Sequence, residues 1–144
     1  MKGPARVLLA LGAFGFTTIE VIAATPQCPP AIEVRQQLAT QVPGWTSIDD
    51  DSPHRLANIT FYDGKPEEHV SLVPDTSHKS GDRETSTWRF REQADRRLWM
   101  ACGYGGTSIS LAHELPVETH ACTVVYNLRR RVDGLPVIES VSCN

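Results

Sequence analysis

The chain has 144 residues, a formal net charge of −3 and 22% charged side chains. Its mild acidity excludes nonspecific binding to nucleic acid or anionic membranes, which needs a basic surface. Its length fits one domain that buries a modest core without help from a metal or cofactor.

The first residues have the layout of a secretory signal. Lys2 and Arg6 flank the start of an apolar run over residues 7–16, VLLALGAFGF. A transmembrane helix needs about 20 apolar residues, whereas a basic start, a short apolar run and a small-residue site mark a signal peptide. Ala23 and Ala24 supply that site, so cleavage is expected after Ala24, with cutting after Ala23 or slightly later as neighbouring options. Glu20 is an unusual acid so close to the run. Removing residues 1–24 takes away Lys2, Arg6 and Glu20 and leaves 12 basic and 16 acidic side chains on residues 25–144, a net charge of −4. The expected product has no integral membrane segment and resides in the periplasm or the medium.

Helical periodicity is poor along the rest of the chain, while short alternating runs recur between turn signals, as in antiparallel strands with one buried face. Ile32, Val34 and Leu38 open the series, although residues 31–39 also fit a short helix started by Pro29 and Pro30. Trp45 follows a Pro43-Gly44 turn, and residues 49–53, DDDSP, have loop composition. Residues 56–62 put Ile59 and Phe61 on one face and end in the turn chemistry of Asp63-Gly64 and Pro66. Val70 and Leu72 suggest a partner strand. The polar stretch 74–86 reads as a long exposed loop.

Residues 87–91 and 98–104 alternate clearly, with Trp88 and Phe90, then Leu98, Met100 and Cys102, on single faces. Trp99 has the opposite parity and is the aromatic residue expected outside the main core. Gly105-Gly106 fits a tight two-residue hairpin turn, after which Ile109 and Leu111 are expected to face inward. Residues 121–128 and 135–143 form a last pair across Asp133-Gly134. The sum is a mainly β fold, a small antiparallel sandwich or barrel of about seven or eight strands, with one short amino-terminal helix as an option.

Cys28, Cys102, Cys122 and Cys143 all lie in the exported part, and an even count there reads as two disulfides. No C-x-x-C occurs, which removes a thioredoxin-type redox motif and the usual zinc-knuckle spacing. Folding the last strands about a turn between Arg131 and Gly134 brings Cys122 near Cys143 and leaves Cys28 for Cys102. A different strand order would join Cys102 with Cys122 and Cys28 with Cys143.

Catalytic signatures are weak. His113, Glu114 and His120 are the densest polar group, but a zinc protease needs H-E-x-x-H on one helix, and here six residues that include Pro116 separate the histidines. The glycines at 103, 105 and 106 precede a strand, whereas phosphate loops enter a helix. Candidate binding groups are Trp99, the acids Asp49, Asp50 and Asp51, and the run Arg129, Arg130 and Arg131, whose guanidinium forks suit carboxylates on a partner. Arg89, Arg91, Arg96 and Arg97 form a second basic group. The loops 49–53 and 75–86 are the segments expected to meet a partner.

A set of marks resembles a family of small exported proteins of Gram-negative bacteria, named from a Salmonella Typhi locus and described as hypothetical. The marks are Cys28-Pro29, Pro43-Gly44-Trp45, Phe61-Tyr62-Asp63-Gly64 with Pro66-Glu67, Leu72, Trp88, Trp99 with Cys102 and Tyr104, Leu111, Leu115-Pro116, and Cys122 with Cys143. The resemblance implies a periplasmic or secreted protein and brings no activity and no catalytic residues. The leading expectation is therefore a noncatalytic module that binds a protein in the periplasm, such as an immunity or inhibitor protein. The alternatives are an envelope hydrolase using His113, Glu114 and His120, and a structural envelope protein.

Overall fold

The structure, a computed structural model, describes residues 24–49, 51–91 and 97–144. The expected signal segment up to residue 23, together with Asp50 and Arg96, falls outside these residues. Nine strands are present among them: β1 (Ala31–Ile32), β2 (His54–Asp63), β3 (Ser71–Leu72), β4 (Thr76–Ser80), β5 (Arg83–Arg89), β6 (Leu98–Tyr104), β7 (Ser110–Glu114), β8 (Ala121–Val132) and β9 (Leu135–Cys143). One 3-10 turn, Pro66–Glu68, separates β2 from β3.

All pairings are antiparallel and fall into two sheets, β1-β2-β6-β7 with β3 also on β2, and β4-β5-β8-β9. The sheets stack face to face as an open sandwich and do not close into a barrel. Alternation explains the core. Ile59 and Phe61 of β2 with Met100, Cys102 and Tyr104 of β6 meet Trp88 of β5, Cys122 and Val124 of β8, and Val141 of β9. Phe61 is fully buried, and its ring lies 4.9 Å from that of Trp88 and 5.8 Å from that of Phe90. Burying one such side chain is worth about 1.5–3 kcal/mol.

Asp133 and Gly134 turn β8 into β9 with φ of +51° and +81°, the positive angles that a two-residue hairpin requires and that Asp and Gly accept. From there the register runs back to put Cys122 opposite Cys143. The disulfides join Cys122 with Cys143 and Cys28 with Cys102. The second ties the amino-terminal segment to β6, where the Tyr104 hydroxyl also donates to the Pro29 carbonyl at 3.1 Å.

Four expectations are corrected. Residues 31–39 form no helix, because Ala31 and Ile32 pair with Arg55 and His54 as an edge strand and the chain then leaves the sheet. The stretch 74–86 is largely a hairpin, with β4 paired to β5 from Thr76↔Thr87 to Ser80↔Arg83. Its Ser and Thr residues look like a loop by polarity, yet they suit an exposed edge strand whose bonds come from the backbone. Gly105-Gly106 is not a two-residue turn, since β7 begins only at Ser110. Leu111 shares the core-side face with its partner Cys102, but β7 is an edge strand and leaves Leu111 40% and Ile109 46% exposed.

Candidate functional site

The segment between β1 and β2 carries several exposed apolar side chains. After Ile32 the chain carries Leu38, Val42, Trp45 and Ile48 without covering them, and Trp45 is 80% and Ile48 92% exposed. Trp45 closes a turn by donating its backbone N–H to the Val42 carbonyl at 3.1 Å. Trp99 lies outside the core cluster, as its parity on β6 predicts, and Trp45 stands clear of the core as well. It sits at a loop tip with no strand neighbours, whereas Trp99 is flanked on β6 by Tyr62 of β2 and Glu114 of β7.

Beside this loop lies a cleft of about 750 Å³. Its lining includes Gln36, Asp49, His54, Arg55, Gly105 and Asp133. Hydrogen bonds fix these parts. The Gln36 backbone N–H donates to Asp49 Oδ2 at 3.1 Å, and the Gln36 side-chain amide donates to the Gly106 carbonyl at 3.2 Å. His54 Nδ1 donates to the Gly105 carbonyl at 2.7 Å. The missing Cβ of Gly105 leaves room for the Asp133 carboxylate, because one built there would stand 2.0 Å from Asp133 Oδ2.

The cleft gathers only some of the binding candidates. Asp49 lines it, and Asp51 follows on the exposed approach to β2. Arg129, Arg130 and Arg131 run along a bulge at the end of β8, where the Asn127 side-chain oxygen accepts the backbone N–H groups of Arg129 and Arg130. Arg129 pairs with Asp82 at 2.7 Å, and Arg131 donates to the Gly134 carbonyl at 2.7 Å. Arg131 therefore braces the turn that presents Asp133 to the cleft, while Arg129 ties the end of β8 to the β4–β5 turn. Trp99 is elsewhere, lining a pocket of about 370 Å³ with Asp63, Lys65, Val70, Arg97 and Glu114. In that pocket Arg97 and Glu114 form an ion pair at 2.6 Å.

His113, Glu114 and His120 do not come together as one constellation. His113 and Glu114 are neighbours on a strand and point to opposite faces, opposite Met100 and Trp99 respectively. The His113 ring bonds the Glu114 carbonyl, while His120 leads into β8 of the other sheet and pairs its backbone with Asn144. Among the described residues no group of three or more His, Cys, Asp or Glu is arranged to hold a metal ion.

Among the described residues, three titrating groups shift. Burial pushes the Tyr104 hydroxyl up, and burial with the nearby Glu84 charge does the same to Tyr126. The Asn127 amide, with help from Arg83, holds the Glu139 carboxyl below its usual range.

Sequence reasoning missed His54, Gly105, Gly106 and Asp133 as parts of one site. The signal that was available is Trp45 beside Pro43-Gly44, an aromatic residue in a turn with no apolar alternation around it.

Comparison with known proteins bears on this surface. Residues 51–144 match the family model described as type VI secretion system Tli immunity protein. His54, Gly105 and Asp133 lie inside the match, and Trp45 and Ile48 precede it. The chain is also 27% identical over 105 residues to a protein of Azospirillum brasilense described as an uncharacterized 16.3 kDa protein in the trpG 5′ region, covering 68% of this chain and 69% of the relative. Neither match carries a Salmonella Typhi locus name, so that resemblance stands only as likeness to small bacterial proteins. No solved structure matches the chain.

Proposed function

The chain belongs to the type VI secretion system Tli immunity protein family, and from that membership we propose that it is a noncatalytic immunity protein that neutralises a secreted effector by binding it. The observation that carries this reading is the uncovered apolar loop beside the cleft. Trp45 and Ile48 hold large apolar surfaces in water, a cost that a partner's surface relieves, and an exposed Trp is a frequent anchor of interfaces. Asp49, Asp51 and the arginine run Arg129, Arg130 and Arg131 supply a polar rim. Trp99 forms a separate, smaller patch.

Export completes the proposal. Residues 1–24 carry the chain across the inner membrane and are cleaved after Ala24, and the mature domain meets the effector in the periplasm or the medium. Two disulfides suit that oxidising compartment.

The test is protection of cells. A susceptible strain that directs the effector of the same secretion system to its periplasm should survive when it also makes the intact chain. A W45A/I48A double variant should accumulate to the same level and fail to protect. Full protection by the double variant would remove the proposed surface, and failure of the intact chain would remove the immunity role.

A further inference from the structure

We propose that the cleft is a socket for a basic side chain, an arginine or lysine that the effector inserts; this rests on the immunity reading above. Donors and acceptors in the lining choose the guest. His54 Nδ1 bonds the Gly105 carbonyl oxygen, which can only accept, so Nδ1 carries a proton, and in the singly protonated ring Nε2 is an acceptor. That Nε2 is the one buried side-chain nitrogen or oxygen without a hydrogen-bond partner among the described residues.

Two carboxylates add to the demand for donors. Asp49 gives one oxygen to the Gln36 backbone N–H, and no ion pair among the described residues reaches Asp49 or Asp133. Arg55 is the opposing cation of the lining, and the two acids outweigh it while His54 is neutral. An ammonium brings three donors and a guanidinium five in a planar fork. The chain's net charge of −3 also steers a basic partner towards it.

The socket is built before the guest arrives. Gln36 and His54 are tied to the backbone of Gly106 and Gly105, and the missing Cβ of Gly105 makes room for the Asp133 carboxylate. Such preorganisation lowers the ordering cost of binding. Nε2 is buried beside the cleft, so the His54 ring nitrogens serve as reporters of a guest.

The test uses N-acetyl-arginine amide as the probe and N-acetyl-citrulline amide as its uncharged near-isostere. Both are titrated into the isotope-labelled protein while the Gly105 and Gly106 amides and the His54 ring nitrogens are followed by NMR. The arginine probe should shift these signals saturably and bind at least about tenfold more tightly than the citrulline probe, a gap of about 1.4 kcal/mol. A D49N/D133N variant should lose that preference; Asn accepts the positive φ at 133, so the turn is kept, and an unchanged backbone spectrum elsewhere checks the fold. Equal binding of both probes, no saturable shift, or an undiminished preference in the variant would each overturn the socket. If the probes fail while W45A/I48A still abolishes protection, the socket falls and the immunity reading stands. If the arginine probe binds and the intact chain does not protect, the immunity reading falls.

Discussion

Cys122 and Cys143 stand directly opposite each other on β8 and β9, with their Cα atoms 4.1 Å apart and their sulfurs bonded. That bridge closes 21 residues of sequence separation, whereas Cys28–Cys102 closes 74. In the chain-entropy view a longer loop loses more freedom when closed, and the two bridges differ by about 1 kcal/mol on that ground. The C28A/C102A variant should therefore lose about 1 kcal/mol more stability than C122A/C143A. Urea denaturation of both variants checks this, and it also reads the release of the amino-terminal segment from β6 in the first.

Phe61 is the centre of the core, fully buried between the rings of Trp88 and Phe90. Substituting Phe61→Ala should cost about 3–5 kcal/mol, the lost burial plus the cavity left behind. The same denaturation experiment measures it.

Glu139 gives a pH dependence with a definite sign. Its folded carboxyl titrates below the ordinary value of 4.5, first because Asn127 Nδ2 donates to it at 2.8 Å and then because Arg83 lies beside it. A carboxylate whose pKa is lowered by folding contributes stability that is present above the unfolded pKa and is lost as pH falls through the folded one. Stability should drop as the protein is taken from pH 6 down past the ordinary carboxyl range. In an E139Q variant that acid-induced drop should be smaller, as thermal unfolding at a series of pH values would show.

Much of the fold is legible because local chemistry and tertiary structure agree. The alternation of Leu98, Met100 and Cys102 makes β6, and Asp133-Gly134 makes the last hairpin, because positive φ at both positions leaves few other options. β4 was hidden because Thr76, Ser77, His78, Lys79 and Ser80 bury nothing, and a strand that lives on backbone bonds leaves no hydrophobic period to read. The absent helix has a similar cause: Pro29 and Pro30 fit a helix start, but Cys28 and Tyr104 hold that segment against the sheet.

The site was less legible than the fold. Asp49 was visible as a surface acid and the arginine run as a charged strand end. The cleft itself joins Gln36, Asp49, His54, Gly105 and Asp133, residues that only the sandwich topology brings together. The exposure of Trp45 is hard to read because tryptophan is usually buried for its large apolar area, and composition alone does not reveal that a turn lifts it into solvent.

The central claim is that the loop carrying Trp45 and Ile48 binds the effector. Calorimetric titration of purified effector into the intact protein and into W45A/I48A tests it most directly. Substitutions at such exposed positions should change folding stability by less than about 0.5 kcal/mol each. Affinity of the variant for the effector should fall by at least about 30-fold, the scale of a lost interface anchor at about 2 kcal/mol, with the thermal midpoint of the free protein unchanged. Equal affinity of the two proteins for the effector would contradict it.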